Sequence, residues 1–591
     1  MDASKFFKIT ISIFMHIIFN RTGHSLLNNG ILGVYTYLLK AKRENLFDFF
    51  FDFDLREHQL EITSENLNEL LEELYYWMGN EVYDTYTLKQ QENADKLKDC
   101  NIYYNQEKEE FIPFPRMNTY GLTHLLTNNA QGVTRHENGW TNSKKLLESN
   151  PNELKKFDAF FEKSGLKKLS KLYYEPYTKI TRLPKFKKGY LEQGYKECYL
   201  TGESFKDLVD TTNVSPFFSG LQNFNSHMFA GDKKISWKAR YVSMFSPVHA
   251  FYHYPNKLRE TIYIYQVLSD NLKHQYELLT NIDLTKSNLE IKNQEFVSNI
   301  KFSEEILKDA YTEQFEVALS LTYSLYKKVI TKYGNLTDEQ VPDDDLFGAI
   351  MTKLPPLALE TFQANAHGKT MLPTIYENLN RLTPLFKLFY DLEKKGVIFK
   401  RLLPSLKIIK PAERNAKNKF RLERIARDHI AREILENKSI LSSMEDLLFR
   451  CFKYLCSNEH IGHKDYRQLF LFTELYESKI NTMEESLQSK AISLGRSIGG
   501  KIKRYDENSS EKDNAKKGRS DLISLRKART LKQFLDELIR IDFKYGLSIN
   551  EELANSISEQ NYYTIKQFVI IGALNILNPA IQPFKQPEKT S

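Results

Sequence analysis

The segment YYTIKQFVIIGALNIL near the C-terminus constrains the fold most, because it is apolar on almost every side. A helix with no polar face is stable in water only when other elements surround it. The chain must therefore build a helical bundle around this segment. One neighbour is read in SDLISLRKARTLKQFLDELIRIDFKYG, predicted as a single helix from a Ser520 cap to a stop at Gly546. At about 100° per residue, Ala528, Leu531, Phe534, Leu535, Leu538 and Ile539 share an apolar arc. Arg526, Arg529, Gln533, Arg540 and Lys544 fall on the opposite side, so the helix is expected to carry an outward basic ridge. The bundle is predicted to begin near Ser439 and to run to about Leu577.

The first half reads differently. In FFKITISIFMHIIF, Phe7, Ile9, Ile11 and Ile13 alternate with Lys8, Thr10 and Ser12, the period-two pattern of a strand. Lys8 and His16 interrupt the run, which is too short to span a bilayer and lacks a small-residue cleavage signature. SLLNNGILGVYTYLLKAKRE reads as a glycine-marked turn into a helix, and FDFFFDFDLREHQLEI as a strand. Thr63 and Ser64 are placed as caps of the helix ENLNELLEELYYWMG, which ends at Gly79. Apolar spacings of three and four predict helices in NKLRETIYIYQVLSDNLKHQYELL and Phe315–Lys328. The expected fold class is α+β: a mixed α/β N-terminal region over 1–270, a mainly helical middle over 271–438, and the C-terminal bundle over 439–591. Connections are expected at 335–345, 404–419 and 504–520, the last a mobile loop with almost nothing to bury.

Chemistry is most visible between Lys185 and Tyr254. There KFKKGYLEQGYKECYLTGE leads to FFSGLQNFNSHMFAGDKKISWKARYVSMFSPVHAFYHY. Cations mixed with Phe, Tyr and Trp suit phosphate contacts and ring stacking on bases. A hydrolytic site would instead need paired carboxylates or a nucleophile with its base. Net charge is +7, and it is unevenly spread: Lys163–Lys188 holds nine basic residues against Glu175 alone, whereas Asp48–Glu110 is acidic. Such asymmetry steers a polyanion to one face. The four cysteines, Cys100, Cys198, Cys451 and Cys456, are too few for a disulfide framework, which points to a reducing cytoplasm. Cys451, Cys456, His460 and His463 lack the spacing of a zinc site, and Asp343–Asp345 are better read as helix-capping acids than as a metal cluster.

NNGILGVYTYLL, CYLTGE…FFSGLQNFNS…ISWKARY and LRKARTLKQFLDELIRIDFKYG together resemble the large subunit of the type I CRISPR surveillance complex, Cascade, closest to its I-B and I-A branch. The resemblance touches both ends and the middle of the chain through loose motifs. It implies a non-catalytic subunit without cofactor or membrane attachment. Its expected partners are a guide RNA (crRNA), double-stranded target DNA with its displaced strand, the other Cascade subunits, and a helicase-nuclease recruited in trans. It also implies a bundle like the complex's small subunit, with Met444 and Met483 as conceivable internal starts. On this reading Gln222, Asn223, Asn225, Lys233 and Lys234 would read the DNA motif, and Phe224 or Trp237 would wedge between base steps. Lys167, Lys168, Lys171, Lys185, Lys187, Lys188 and Arg240 would hold backbone phosphates, and Arg526, Arg529, Arg540 and Lys544 a strand. Family members place a second cysteine shortly after Cys198; this chain reads Cys198-Tyr199-Leu200-Thr201-Gly202, so no zinc is expected.

Plainer alternatives stand beside these roles. Gln222–Asn225 can be an Asn-rich turn capping local backbone, Phe224 and Trp237 core residues, and the two basic tracts solvated surface. Rival functions are a metal-dependent nuclease and a basic helical scaffold for protein partners.

Overall fold

The computed structural model describes residues 14–83, 88–98, 100–105, 110–114, 134–136, 139–141, 151–164, 172–173, 186–210, 234–253, 261–281, 313–334, 346–352, 356–367, 370–380, 382–399, 416–453 and 463–581, with the single residues 108, 183 and 402. The chain forms two compact units, one of 1–301 with 354–380, the other of 302–353 with 381–591. The class is α+β, with small sheets in the first unit and helices throughout the second.

In the first unit, β1 (Met15–Asn20), β2 (Phe51–Leu55) and β3 (Gln59–Ser64) form an antiparallel sheet in the order β1-β3-β2. The acidic, aromatic segment is thus a hairpin rather than one strand, and the expected strand residues Phe7–Ile13 lie outside the described residues. Helix α1 (Ser25–Glu44) runs through Gly30 and Gly33, which do not mark a turn. They let α1 touch α5 (Trp237–Phe245): a Cβ on Gly30 would sit 1.9 Å from the Val242 carbonyl oxygen, and one on Gly33 2.5 Å from that of Phe245. Helix α2 (Leu67–Met78) buries Leu67, Leu70, Leu71, Leu74, Tyr75 and Met78 at helical spacing. Its cap is Asn66, whose side chain accepts from Glu69 N; Thr63 and Ser64 belong to β3, and Gly79 opens a short π-helical turn.

Further along lie α3 (Leu88–Asp95), β4 (Asn101–Asn105), β5 (Glu110–Phe114), β6 (Thr134–His136), β7 (Gly139–Thr141), α4 (Pro151–Ser164) and β8 (Leu172–Tyr173). A hairpin of β9 (Gln193–Glu197) with β10 (Ser204–Phe205) follows, then β11 (Val209–Asp210) paired with β12 (Lys234–Ile235). A four-stranded sheet closes the unit: β13 (Phe251–His253), β14 (Thr261–Ser269), β15 (Leu357–His367) and β16 (Thr370–Leu379). TIYIYQVLS is therefore a strand, not the start of a helix; only α6 (Leu272–Asn281) is helical there. β-branched and aromatic residues in alternation prefer the pleat. Because β15 pairs with β14 from Leu357 to Asn365, 354–380 belongs to the first unit.

The second unit contains α7 (Gln314–Gly334), α8 (Leu346–Thr352), α9 (Leu382–Lys394), α10 (Ala416–Leu435), α11 (Leu441–Lys453), α12 (His463–Ile480), α13 (Glu485–Lys503), α14 (Glu511–Lys517), α15 (Arg519–Lys527), α16 (Leu531–Tyr545), α17 (Glu551–Ser556) and α18 (Tyr562–Ile581). The apolar segment forms α18, which is buried from Ile565 to Leu574 and again at Leu577, Asn578 and Ile581. Helix α13 lies so close that a Cβ on Gly495 would be 2.0 Å from the Val569 carbonyl oxygen, and one on Gly572 2.4 Å from that of Ile492. Two expected loops are partly helical. Helix α10 begins at Ala416, inside 404–419, and 504–520 contains all of α14. Ser510 caps α14, and the buried Asn514 amide donates to the Lys503 and Asp506 carbonyls, so a polar anchor replaces the apolar one that the segment lacks.

Candidate nucleic-acid interface

Lys167, Lys168, Lys171, Lys185, Gln222, Asn223, Phe224, Asn225 and Lys233 lie outside the described residues, as do Asp343–Asp345, Cys456 and His460. Two other sequence candidates, Trp237 and Arg240, are placed where the expected roles do not fit. Trp237 is 1% exposed, stacked on Tyr241 at 5.0 Å and against Phe186 at 5.1 Å, so it is a core column and no wedge. The Ser236 cap accepts from Ala239 N and winds α5 so that Arg240 also points inward and is buried. Lys234 is half-buried, and its carbonyl receives Tyr199 N–H across the β12 edge. Cys198 is buried, its sulfur accepting the Ser236 N–H at 3.1 Å.

Lys187 and Lys188 behave otherwise. Both are exposed at a short 3-10 turn, Lys188–Tyr190, with no ion pair among the described residues. Their neighbours in the basic tract are neutralised: Lys196 Nζ lies 3.5 Å from Asp207, and Lys206 Nζ 3.0 Å from Glu192.

The C-terminal ridge is not a single stripe, because its helix is broken. Helix α15 ends at Lys527 and α16 starts at Leu531. Lys566 of α18 explains the break: its buried ammonium donates to the carbonyls of Ala528 (2.6 Å) and Arg526 (3.4 Å), the free C-terminal acceptors of α15. Burial pulls Lys566 below its ordinary pKa, with Glu445 holding against that shift. Tyr562 OH donates to the Arg529 carbonyl, and Thr530 accepts from Gln533 N to cap α16. Ser520 is not a cap, whereas Gly546 does stop α16 in the left-handed region at φ 62°. The break resets the helical phase. Phe534, Leu538, Ile541 and Tyr545 are buried, Ile539 is half exposed, and Phe543 stands 86% exposed.

Three ridge cations are spoken for. Arg526 Nε lies 2.8 Å from Glu445 and its NH2 group 3.0 Å from Asp446. Arg540 and Lys544 both reach Asp521, at 2.7 and 2.8 Å, and Arg540 also reaches Glu537 at 2.8 Å. Asp521 is 4% exposed. Burial pushes its carboxyl up, yet hydrogen bonds from Lys544, Tyr545 and Arg540 win and hold it below the usual range. These cations lock α15 to α11 and α16, and a strand would have to compete with buried carboxylates for them. Arg529 alone of the four has no carboxylate partner among the described residues.

The free charge gathers instead at the α15–α16 junction. Lys527, Arg529 and Lys532 are all exposed there without an ion pair among the described residues. Their backbone is fixed by Lys566, Tyr562 and Thr530, so the three are presented from a rigid corner. Sequence reading missed Lys527 and Lys532. RKARTLK held the signal, but only a broken helix brings its cations to one corner.

Among the described residues no group of three or more His, Cys, Asp or Glu side chains is placed to hold a metal ion. Helix α18 is long and apolar enough to cross a membrane by length and composition, and 72% of that stretch is buried by its neighbours in the bundle. Compared with models of known protein families and with curated proteins, the chain matches none.

Proposed function

We propose that this chain is a non-catalytic, nucleic-acid-binding large subunit of a cytoplasmic type I CRISPR surveillance complex. It would contact a guide RNA, read a short duplex motif beside the target, hold the displaced strand, sit with other Cascade subunits and recruit a helicase-nuclease. The observation that carries the binding part is the corner at Lys527, Arg529 and Lys532: three exposed cations without described partners on a backbone held by hydrogen bonds. Cations without an ion pair meet phosphates with no carboxylate to displace, which favours a strand held by charge. Lys187 and Lys188 give the first unit a smaller feature of the same kind. Opening DNA beside a guide is a near-balanced exchange of base pairs, so modest contacts suffice to tip it. The Cascade assignment rests on the motifs quoted above.

Expression of the full chain with its neighbouring genes tests the reading. RNA that copurifies with the chain supports it. A complex free of RNA favours the protein scaffold, and magnesium-dependent cleavage abolished by neutralising Asp343–Asp345 would favour the nuclease.

A further inference from the structure

The β9–β10 hairpin carries an unusual side chain. Gln193 pairs with Phe205 and Glu197 with Ser204. Since 204 and 205 are adjacent, residues 194–196 have no opposite number and bulge out of the ladder. Bulges re-aim side chains, and here Tyr195 is left 87% exposed. The bulge is fixed on both sides. Gly194 is pressed onto β10 so closely that a Cβ would sit 2.5 Å from Lys206 Cα and N. Lys206 N donates to the Glu192 carbonyl, and Lys196 Nζ reaches Asp207. The same Asp207 anchors the neighbouring turn: its N–H donates to the Gly189 carbonyl, and its carboxylate fills the space a side chain at 189 would take. So Lys187, Lys188 and Tyr195 belong to one braced module. Lys196 Nζ lies 5.9 Å from the Tyr195 ring centroid, on which it can polarise the π-face. The module's other charges pair internally, Lys196 with Asp207 and Lys206 with Glu192; Glu197 stands exposed at the end of β9.

A tyrosine that packs on nothing contributes little to folding, and exposing so large a ring on a rigid bulge leaves one π-face ready for a flat partner. Lys187 and Lys188, exposed in the same braced module without an ion pair among the described residues, favour a partner that is anionic along its backbone. We infer that Tyr195 is a stacking platform for an unpaired base of a single-stranded nucleic acid, with Lys187 and Lys188 on the flanking phosphates. This rests on the nucleic-acid-binding reading above and adds to it a specific base contact in the first unit. Stacking on an aromatic residue tolerates any base, so the contact would hold a strand without reading its sequence.

The test is equilibrium binding of the full chain to a short fluorescein-labelled single strand of mixed sequence, made once as RNA and once as DNA. Tyr195→Ala should weaken binding by about tenfold or more, the loss expected for one stacked base. Tyr195→Phe should restore it, and the melting temperature should not move. Lys187→Gln with Lys188→Gln should instead flatten the salt dependence. The strand that suffers the greater loss, RNA or DNA, is the one the platform serves. If the wild-type chain binds and Tyr195→Ala binds equally well, the inference is wrong and the broader reading stands. If the wild-type chain binds neither strand, both fall.

Discussion

Replacing Lys527, Arg529 and Lys532 together by Gln separates binding cations from structural ones. Each phosphate contact on a single strand contributes about 0.7 to the slope of log affinity against log salt. If all three cations at the α15–α16 corner meet phosphates, the triple variant should lose about 2 from that slope. Affinities converging near molar salt would then differ by roughly a hundredfold at a tenth of that concentration. Stability should hardly change, because all three side chains are exposed and none has an ion pair among the described residues. Arg526→Gln should do the opposite. It strips the buried Glu445 of its cation, 7% exposed and already pushed up by burial, and should lower stability by about 1–3 kcal/mol with the slope unchanged. Fluorescence anisotropy across a salt series gives the slope, and urea unfolding gives the stability. Equal slopes for wild type and the triple variant, or a slope lost on Arg526→Gln, would refute the division.

Other expectations concern the scaffold. Gly495→Ala forces a methyl against the Val569 carbonyl and should destabilise by about 3 kcal/mol, whereas Gly500→Ala, with open space around the new Cβ, should gain about 0.5–1 kcal/mol of helix propensity; urea midpoints decide. Lys566→Met should leave the Ala528 and Arg526 carbonyls unsatisfied and lower stability by about 2 kcal/mol, with faster amide exchange at the end of α15. Asp428 accepts the N–H groups of Phe315 (2.6 Å) and Glu316 (3.2 Å) at the start of α7, close to the buried Arg427–Glu316 pair. Burial raises it to about 7 despite those bonds, with Glu316 and Glu313 adding to the rise. The folded chain then binds the extra proton between the unfolded value and about 7, so this group's contribution is present at low pH and is lost as pH climbs through 7. Asp428→Asn should remove that loss and be the more stable form at pH 8; equal stability of variant and wild type from pH 5 to 8 would contradict it.

Local patterns carried much of the fold. The all-round apolar α18 announced a buried helix, Gly546 its left-handed stop, and Phe315–Lys328 a helix that the structure extends to Gln314–Gly334. What escaped depended on partners remote in sequence. Nothing near Arg526 says that Glu445 and Asp446 will claim it, nor that Lys566 will end α15. The spacing in NKLRETIYIYQVLSDNL fits helix and strand alike until β15 pairs with β14. Gly30 and Gly33 look like turn residues until α5 comes to rest on them. The candidate site was legible as composition only. The basic tracts were visible, but which cations stay free follows from pairing, and it favours Lys187, Lys188 and the 527–532 corner over Trp237, Arg240 and the ridge.

The central claim is that the intact chain holds sugar-phosphate backbones through exposed cations that have no carboxylate partner among the described residues. The affinity of the purified chain for a single strand, measured over a salt series, tests this most directly. Contacts from the three cations at the α15–α16 corner predict tight binding at low salt and a log–log slope near −2. Binding absent at low salt, or indifferent to it, would contradict the account.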